Sequence, residues 1–227
     1  MNSTPKYPFR KKFHNFIRKM FPGLAVFSKG IGLLYSSKSF LVTSGYNRSV
    51  KLKKPVRKDG SPIPWMNYGV IDLLEQRLNK DLSLYEYGSG NSTLFFASLV
   101  KDVTAVECDR GWYEYVSGSM PANVNMILLD PYDLKQYLQI VREQPTKYDV
   151  IIVDAADRVD CMLDAPDSLT ERGVIILDDS EREDYRSGIE TLRTNGFKVL
   201  PFNGMKPGGL RAYGTTVFYK DGNCLGL

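Results

Sequence analysis

The sequence predicts an α/β fold, in which a seven-stranded, mostly parallel sheet has helices on both faces and ends in an antiparallel hairpin. From about residue 80 onward, five apolar runs that end in acidic or small residues alternate with segments of helical spacing. This alternation is typical of parallel βαβ units. A short turn rich in glycine and proline then joins two last strand-like runs. Because a connection that short cannot cross over the sheet, the last two strands must pair antiparallel.

The five parallel strands are predicted at LSLYEYG, VTAVECD, VNMILLD, YDVIIVDAAD and GVIILDDS. Four of them contain runs of Val, Ile or Leu without polar alternation, as expected for strands covered on both faces. Helices are predicted between them at STLFFASLV, RGWYEYVSG, YDLKQYLQIVRE and MLDAPDSL, and after them at YRSGIETLRTNG. The closing hairpin is predicted at FKVLPFNG and RAYGTTVFYK. Right-handed crossovers then place the carboxyl ends of the parallel strands at one edge of the sheet.

Charge is distributed very unevenly along the chain. Residues 1–58 contain 14 Lys and Arg and no Asp or Glu, whereas the remainder contains 16 basic and 26 acidic residues. We therefore divide the chain into a basic arm (residues 1–60) and a catalytic or binding domain (residues 61–227). Within them, residues 50–64 predict an extended connector, and residues 65–80 predict a helix packed on the sheet. A basic arm on an acidic body is typical of a segment that contacts an anionic partner.

Residues 9–21 predict a basic amphipathic helix with four phenylalanines on its apolar face. Three interpretations of this helix stay open: it lies at a membrane surface, it packs on the body of the protein, or it binds RNA. Nucleic acid is the least favoured partner, because the body is acidic and has no recognised RNA-binding motif. The single histidine, His14, lies in this helix, so we expect any side-chain base in the body to be a carboxylate.

The composition also indicates the cellular compartment of the protein. No apolar run reaches the ~18 residues of a membrane-spanning helix, and the apolar segment GLAVFSKGIGLLY lacks a convincing signal-peptide cleavage site. Three widely spaced cysteines predict reduced thiols rather than disulfides or a zinc site. We expect a cytoplasmic protein, peripheral at the inner membrane surface if residues 9–21 bind lipid. The sequence makes no prediction of the oligomeric state.

The segment EYGSGNST follows the first predicted strand. Gly88 and Gly90 allow the backbone to turn sharply and to approach a ligand closely. Glu107 ends the second strand 19 residues after Gly88, the spacing at which an acidic side chain binds ribose hydroxyls. The third glycine of a dinucleotide-binding loop is missing, and Glu86 would repel pyrophosphate but attract a cation. These features favour a nucleoside ligand with a positive charge over a plain turn.

The motifs EYGSGNST, VECD, LLDPYD, YDVIIVDAAD and LTERGVIILDD resemble, in this order, the class I S-adenosylmethionine-dependent methyltransferases, whose fold is Rossmann-like. The resemblance covers roughly residues 62–220. It implies that S-adenosylmethionine is the cofactor, that Glu107 holds its ribose, that Asp130 lies near its adenine, and that Asp154 faces the methyl group and the acceptor. The implied cofactor-binding residues are Glu86, Gly88, Ser89, Gly90, Asn91, Ser92, Glu107, Cys108, Asp130 and Asp154.

Three aspartates end the fourth and fifth strands and are the predicted catalytic residues: Asp154, Asp178 and Asp179. VDAAD with LDD is similar to the catechol-type O-methyltransferases, in which an Asp and an Asp-Asn pair bind a metal, although Asp179 replaces the Asn. Two interpretations stay open: the three carboxylates bind Mg²⁺, or Asp154 alone contacts the substrate. Further candidates on the acceptor side are Asp157, Arg158 and Arg182. Trp65, Tyr68, Trp112 and Tyr113 are expected mainly in the core, with a site role open for the first two.

The segment PWMNY is similar to bacterial methyltransferases that modify glycans or secondary metabolites. We therefore expect O-methylation of a small molecule or glycan, with a surface polysaccharide or lipid-linked sugar as one class of acceptor. The alternatives are an RNA methyltransferase that uses the basic arm and a non-catalytic nucleotide-binding protein. A dehydrogenase is disfavoured by Glu86 and by the missing third glycine.

Overall fold

A computed structural model of the protein describes residue 16 and residues 19–227. Its strands are β1 (Ser83–Tyr87), β2 (Asp102–Glu107), β3 (Val124–Leu128), β4 (Tyr148–Val153), β5 (Leu169–Asp178), β6 (Lys198–Gly204) and β7 (Tyr213–Tyr219). Its α-helices are α1 (Pro22–Tyr35), α2 (Phe40–Thr43), α3 (Tyr46–Leu52), α4 (Tyr68–Arg77), α5 (Asn91–Leu99), α6 (Arg110–Ser117), α7 (Leu134–Arg142), α8 (Arg158–Asp164) and α9 (Arg186–Thr194). The predicted helix of residues 9–21, including His14, lies largely outside the described residues.

The seven strands form one sheet in the order β3-β2-β1-β4-β5-β7-β6. Strands β1 to β5 are parallel, and β7 runs antiparallel to both β5 and β6. The predicted seven-stranded sheet with a terminal antiparallel hairpin is therefore confirmed. The strand order reverses beside β1, which pairs with β2 on one side and β4 on the other. In open α/β sheets, ligands bind beyond the carboxyl ends of the strands at such a reversal.

Helices cover both faces of the sheet, as predicted. Alternate strand residues point to opposite faces, so Leu84 packs in one apolar layer with Val70 of α4 and Phe96 of α5. Tyr85 packs in the other layer with Tyr137 of α7. Both β1 side chains are fully buried. Since the two layers fill the faces, cavities open at the edges of the sheet, and three of them lie at the carboxyl edge.

Two upstream predictions were wrong in detail. The helix expected over residues 65–80 begins only at Tyr68, because the Asn67 side chain caps it by accepting a hydrogen bond from Val70 N at 3.0 Å. Trp65 is consequently outside the helix and 48% exposed. The connector expected over residues 50–64 begins inside a helix, since α3 continues to Leu52. Beyond that point, a single β-bridge joins Val56 and Pro62.

The arm is attached to the domain at several points. Asn91 of α5 donates a side-chain hydrogen bond to Pro55 O at 2.7 Å. Phe40 packs edge-on against Tyr68, with ring centroids 5.0 Å apart. These contacts hold residues 40–58 beside the carboxyl edge of the sheet. In the described part of the chain, no helix has both the length and the apolar character needed to cross a membrane.

Candidate active site

The turn after β1 brings the backbone unusually close to the end of β4. Gly88 has a φ of +103°, and a Cβ atom placed on it would lie 3.0 Å from the backbone oxygen of Asp154. Its amide donates to Val106 O at 2.9 Å, which ties the turn to β2. Side chains other than hydrogen would both strain this backbone and push against Asp154. Gly88 therefore allows the ends of β1, β2 and β4 to meet at one point.

Glu86 supports this turn from inside the protein rather than from the cleft. It is 1% exposed, and its Oε2 accepts a hydrogen bond from Thr93 Oγ1 at 2.6 Å. Thr93 Oγ1 also accepts from the Gly90 amide at 2.9 Å. Burial raises the pKa of Glu86 to about 7. Glu86 therefore fixes the position of the glycine turn through Thr93. Its side chain does not line a cavity.

Glu107 lies at the end of β2 and is held in place by three donors. Its Oε1 accepts from the amides of Cys108 and Asp109 at 2.8 and 3.0 Å, and its Oε2 accepts from Ser89 Oγ at 2.7 Å. Glu107 lines a cavity of about 470 Å³ with Gly88, Ser89, Cys108 and Asp154. The structure thus brings these predicted cofactor-binding residues together around one cavity.

A second cavity, of about 690 Å³, lies in front of the glycine turn. Gly90, Asn91 and Ser92 line one side of it, and Lys53 and Lys54 of the arm line the other. Trp112 was expected in the core, but it is 44% exposed and lines this cavity. Its indole N–H donates to Ser89 O at 3.0 Å. Sequence reasoning placed Trp112 wrongly because an aromatic residue that begins an amphipathic helix usually faces the sheet.

Asp154 lines both cavities. Its side chain is 23% exposed, and Oδ1 lies 2.9 Å from Arg158 Nη2 in an ion pair. Among the described residues, Oδ2 has no hydrogen-bond donor. Burial raises the pKa of Asp154 to about 6, although the Arg158 guanidinium opposes the shift. Arg158 is fixed in turn by hydrogen bonds to the backbone oxygens of Ala155 at 2.9 Å and Asp178 at 2.7 Å.

Asp178 and Asp179 separate after the end of β5. Asp178 is 1% exposed and accepts from Thr215 Oγ1 at 2.7 Å; burial and the nearby Asp154 carboxylate raise its pKa to about 8. Asp179 has a φ of +51°, and its Oδ1 lies 2.8 Å from Lys206 Nζ. Asp178 is therefore part of the buried interior, whereas Asp179 lines a cavity.

The interpretation that the three aspartates bind Mg²⁺ does not fit this geometry. Arg158 and Lys206 already provide the positive charge for Asp154 and Asp179, and Asp178 is turned into the core against Thr215. Within residue 16 and residues 19–227, no three His, Cys, Asp or Glu side chains are grouped so that they could hold a metal ion. The open alternative, in which Asp154 acts without the other two, is the one that the arrangement favours.

A third cavity, of about 540 Å³, lies beyond Asp179. Its wall includes Trp65, Arg182 and Lys206. Trp65 also lines the 690 Å³ cavity, and its indole N–H donates to Pro207 O at 2.7 Å. Sequence reasoning missed Lys206, because a lysine in a hairpin turn carries no signal of a buried ion pair. Its Nζ lies between Asp179 and the Tyr213 ring, 4.2 Å from the ring centroid.

Two candidates lie outside all three cavities. Asp130 pairs with Arg110, whose Nε is 2.6 Å from its Oδ2, and both side chains are substantially exposed. Asp157 accepts a hydrogen bond from the Tyr132 hydroxyl. Burial and this bond raise the pKa of Tyr132. Neither aspartate is among the residues that line these three cavities.

Comparison with solved structures identifies the fold. An rRNA methylase from Streptococcus thermophilus matches with a TM-score of 0.51 and 16% identity, over 66% of this chain and 92% of that one. The O-methyltransferase TomG from Streptomyces achromogenes, involved in tomaymycin synthesis and solved in complex with S-adenosylmethionine, matches with a TM-score of 0.52 and 16% identity, over 65% of this chain and 76% of that one. The chain has the fold of the S-adenosylmethionine-dependent methyltransferases. No family model and no curated protein matches the sequence of this methyltransferase-fold chain.

Proposed function

We propose that the protein is an S-adenosylmethionine-dependent methyltransferase that methylates an oxygen atom of a small molecule or glycan. The observation that carries the proposal is the position of Asp154. This carboxylate lines both the cavity of Glu107 and the larger cavity in front of the glycine turn. A group at this junction can contact a nucleoside ligand on one side and an acceptor on the other.

The 470 Å³ cavity suits the nucleoside part of the cofactor. Glu107 has its carboxylate orientation fixed by two amides and one hydroxyl, so the lone pair that remains on Oε2 can accept a hydrogen bond from a ribose hydroxyl. Gly88 leaves the backbone open to close approach. When bound, S-adenosylmethionine supplies an electrophilic methyl group on a positively charged sulfur. The carboxylates of Asp154 and Glu107 in this cavity wall favour such a cation.

Asp154 is the residue that we assign to proton transfer. A hydroxyl acceptor loses its proton as the new bond to carbon forms, and a positioned base accelerates such a step by about 10²–10⁴-fold. Because Arg158 holds Oδ1, the Oδ2 atom of Asp154 is available to accept the proton. Arg158 is itself fixed by two backbone oxygens, so it keeps the carboxylate in one orientation. Trp65 lines both the 690 Å³ and the 540 Å³ cavities, where it would orient the acceptor.

The size of the acceptor space favours a small ligand. Cavities of about 690 and 540 Å³ fall within the range of 300–1,000 Å³ that is usual for small-molecule sites. An RNA acceptor is the alternative, and a protein named as an rRNA methylase has the same fold, so the fold alone does not distinguish the two.

Calorimetric titration with S-adenosylmethionine, S-adenosylhomocysteine and NAD tests the cofactor. We expect the first two to bind and NAD not to bind; binding of NAD alone would contradict the proposal. The acceptor is then sought by incubating the protein and radiolabelled cofactor with fractionated small-molecule, glycan and RNA extracts. Label that enters only the RNA fraction would replace the O-methylation proposal by the RNA alternative.

A further inference from the structure

Helix α1 (Pro22–Tyr35) is an apolar helix that the rest of the described chain does not cover. None of its 14 residues is buried, and it contains one charged residue, Lys29. Leu24, Phe27, Ile31 and Leu34 recur at helical spacing and are 57%, 65%, 45% and 42% exposed. Isolated exposed apolar side chains are common, but a continuous stripe of this kind marks an interaction surface.

The side of α1 that faces the protein is made of small residues. Ala25 and Gly32 are the only partly covered residues of the helix, and they lie on the side away from the apolar stripe. The contact to α3 is one hydrogen bond, from Asn47 Nδ2 to Leu34 O at 2.6 Å. Helix α1 thus contacts the arm through its backbone and its small residues, while its large side chains stay exposed.

The arm that contains this apolar helix carries a strong positive charge. No Asp or Glu occurs before Asp59. Eight lysine and arginine side chains in the described part of the arm are exposed: Lys19, Lys29, Lys38, Arg48, Lys51, Lys53, Lys54 and Lys58. An apolar surface within a field of one sign requires a partner that is both apolar and negatively charged. An anionic lipid bilayer has this combination, with acyl chains beneath phosphate head groups.

We infer that α1 docks the protein on an anionic membrane surface, with its apolar stripe in the head-group and acyl boundary and the arm's lysines on the lipid phosphates. At 1.5 Å per residue, the 14 residues of α1 extend about 21 Å, which is short of the ~30 Å hydrocarbon core. The helix therefore lies in the surface rather than across it. Leu52, Lys53 and Lys54 of the same arm line the 690 Å³ cavity, so docking would bring one wall of that cavity to the membrane surface.

The inference does not depend on methyl transfer, and a binding assay with the full chain tests it directly. The protein is sedimented with vesicles of phosphatidylcholine alone and of phosphatidylcholine with about one-third phosphatidylglycerol. We expect binding to the anionic vesicles to be at least about tenfold tighter, and to weaken when salt is raised. Equal binding to both vesicles, or binding to neither, would overturn the inference.

Substitutions separate the apolar and the charged contributions. Phe27→Ser combined with Ile31→Ser, which changes no charge, should weaken anionic vesicle binding by about 100-fold or more; the fold should persist, because neither side chain is buried. Leu163→Ser with Leu210→Ser, two exposed leucines outside the arm, is the matched control and should bind like the unmodified chain. Each of Lys29→Gln, Lys38→Gln and Lys51→Gln should weaken binding to anionic vesicles about fivefold and leave binding to neutral vesicles unchanged.

Two other partners of the apolar stripe would give different results in these binding assays. If a second copy of the chain covers α1, light scattering will show a dimer that the Phe27→Ser, Ile31→Ser variant dissociates, without vesicle binding. If RNA binds the arm, the lysine variants will weaken RNA binding while the Phe27→Ser, Ile31→Ser variant will not, again without vesicle binding. Either result would overturn the membrane inference.

Discussion

The Oγ atom of Ser89 lies 2.7 Å from Oε2 of Glu107, and this hydrogen bond joins the glycine turn after β1 to the end of β2. The two residues are 18 positions apart in the sequence. The bond orients the Glu107 carboxylate toward the 470 Å³ cavity that both residues line. It also shows why a glycine-rich turn and an acidic strand end act as one unit: each fixes the geometry of the other.

Glu107→Gln should weaken the binding of S-adenosylmethionine and S-adenosylhomocysteine about 10- to 100-fold. The variant keeps the shape of the side chain but loses a charged acceptor, and hydrogen bonds to charged groups contribute about 1.5–3 kcal/mol. Calorimetric titration measures the change. Asp102→Asn, at the opposite end of the same strand in an exposed pair with Lys101, is the control and should bind as the unmodified protein does. Equal affinities in all three proteins would remove Glu107 from the cofactor site.

Gly88→Ala should lower both stability and cofactor affinity. Gly88 and Gly196 both have a positive φ, +103° and +87°, but an added Cβ atom lies 3.0 Å from Asp154 O at position 88 and meets nothing within 4 Å at position 196. Both alanine variants should lose about 1–2 kcal/mol of unfolding free energy through backbone strain. Only Gly88→Ala should also lose cofactor affinity, as measured by titration at a temperature where both are folded. A similar loss of affinity in Gly196→Ala would indicate a global effect instead.

Glu86→Gln should stabilise the protein at alkaline pH. Burial raises the folded-state pKa of Glu86 from 4.5 to about 7, so its contribution to stability is fully present below pH 4.5 and is lost as pH rises through 7. Glutamine stays neutral and can still accept the Thr93 hydrogen bond. In denaturant unfolding, the free energy of unfolding of the variant should exceed that of the unmodified protein by about 2–3 kcal/mol at pH 8 and by much less at pH 5. The same substitution at the exposed strand residue Glu171 is the control and should leave the free energy of unfolding unchanged.

The layers of the fold could be predicted because four of the five parallel strands contain short runs of Val, Ile or Leu between turn residues. The hairpin of β6 and β7 followed from the length of its connection. Helix α1 could not be predicted in the same way: it has no polar face, and its three glycines lower its intrinsic helix propensity. The expected extended connector was also partly wrong, since the residues that end α3 have no strong helix-stop signal before Pro55.

At the site, residues at strand ends were predictable and residues fixed by side-chain packing were not. Glu107 and Asp154 could be placed because parallel strands end at one edge of the sheet. The burial of Asp178 depends on Thr215, 37 residues later, and the position of Lys206 depends on an ion pair with Asp179 across 27 residues. Such long-range contacts leave no local pattern, and they are the reason that the predicted metal site is absent from the described residues.

Asp154→Asn should lower methyl transfer by about 10²–10⁴-fold, the usual effect of removing a general base, while cofactor binding changes much less. Because burial raises the pKa of Asp154 to about 6, the unmodified protein should lose kcat/KM about tenfold per pH unit below 6 and reach a plateau above it. This loss of kcat/KM below pH 6 is the acidic limb of the pH profile, and it should disappear in the variant, since asparagine does not titrate. Asp160→Asn, a neighbouring aspartate in the first turn of α8, should keep both the rate and the limb. A full acidic limb in Asp154→Asn would show that another group accepts the proton.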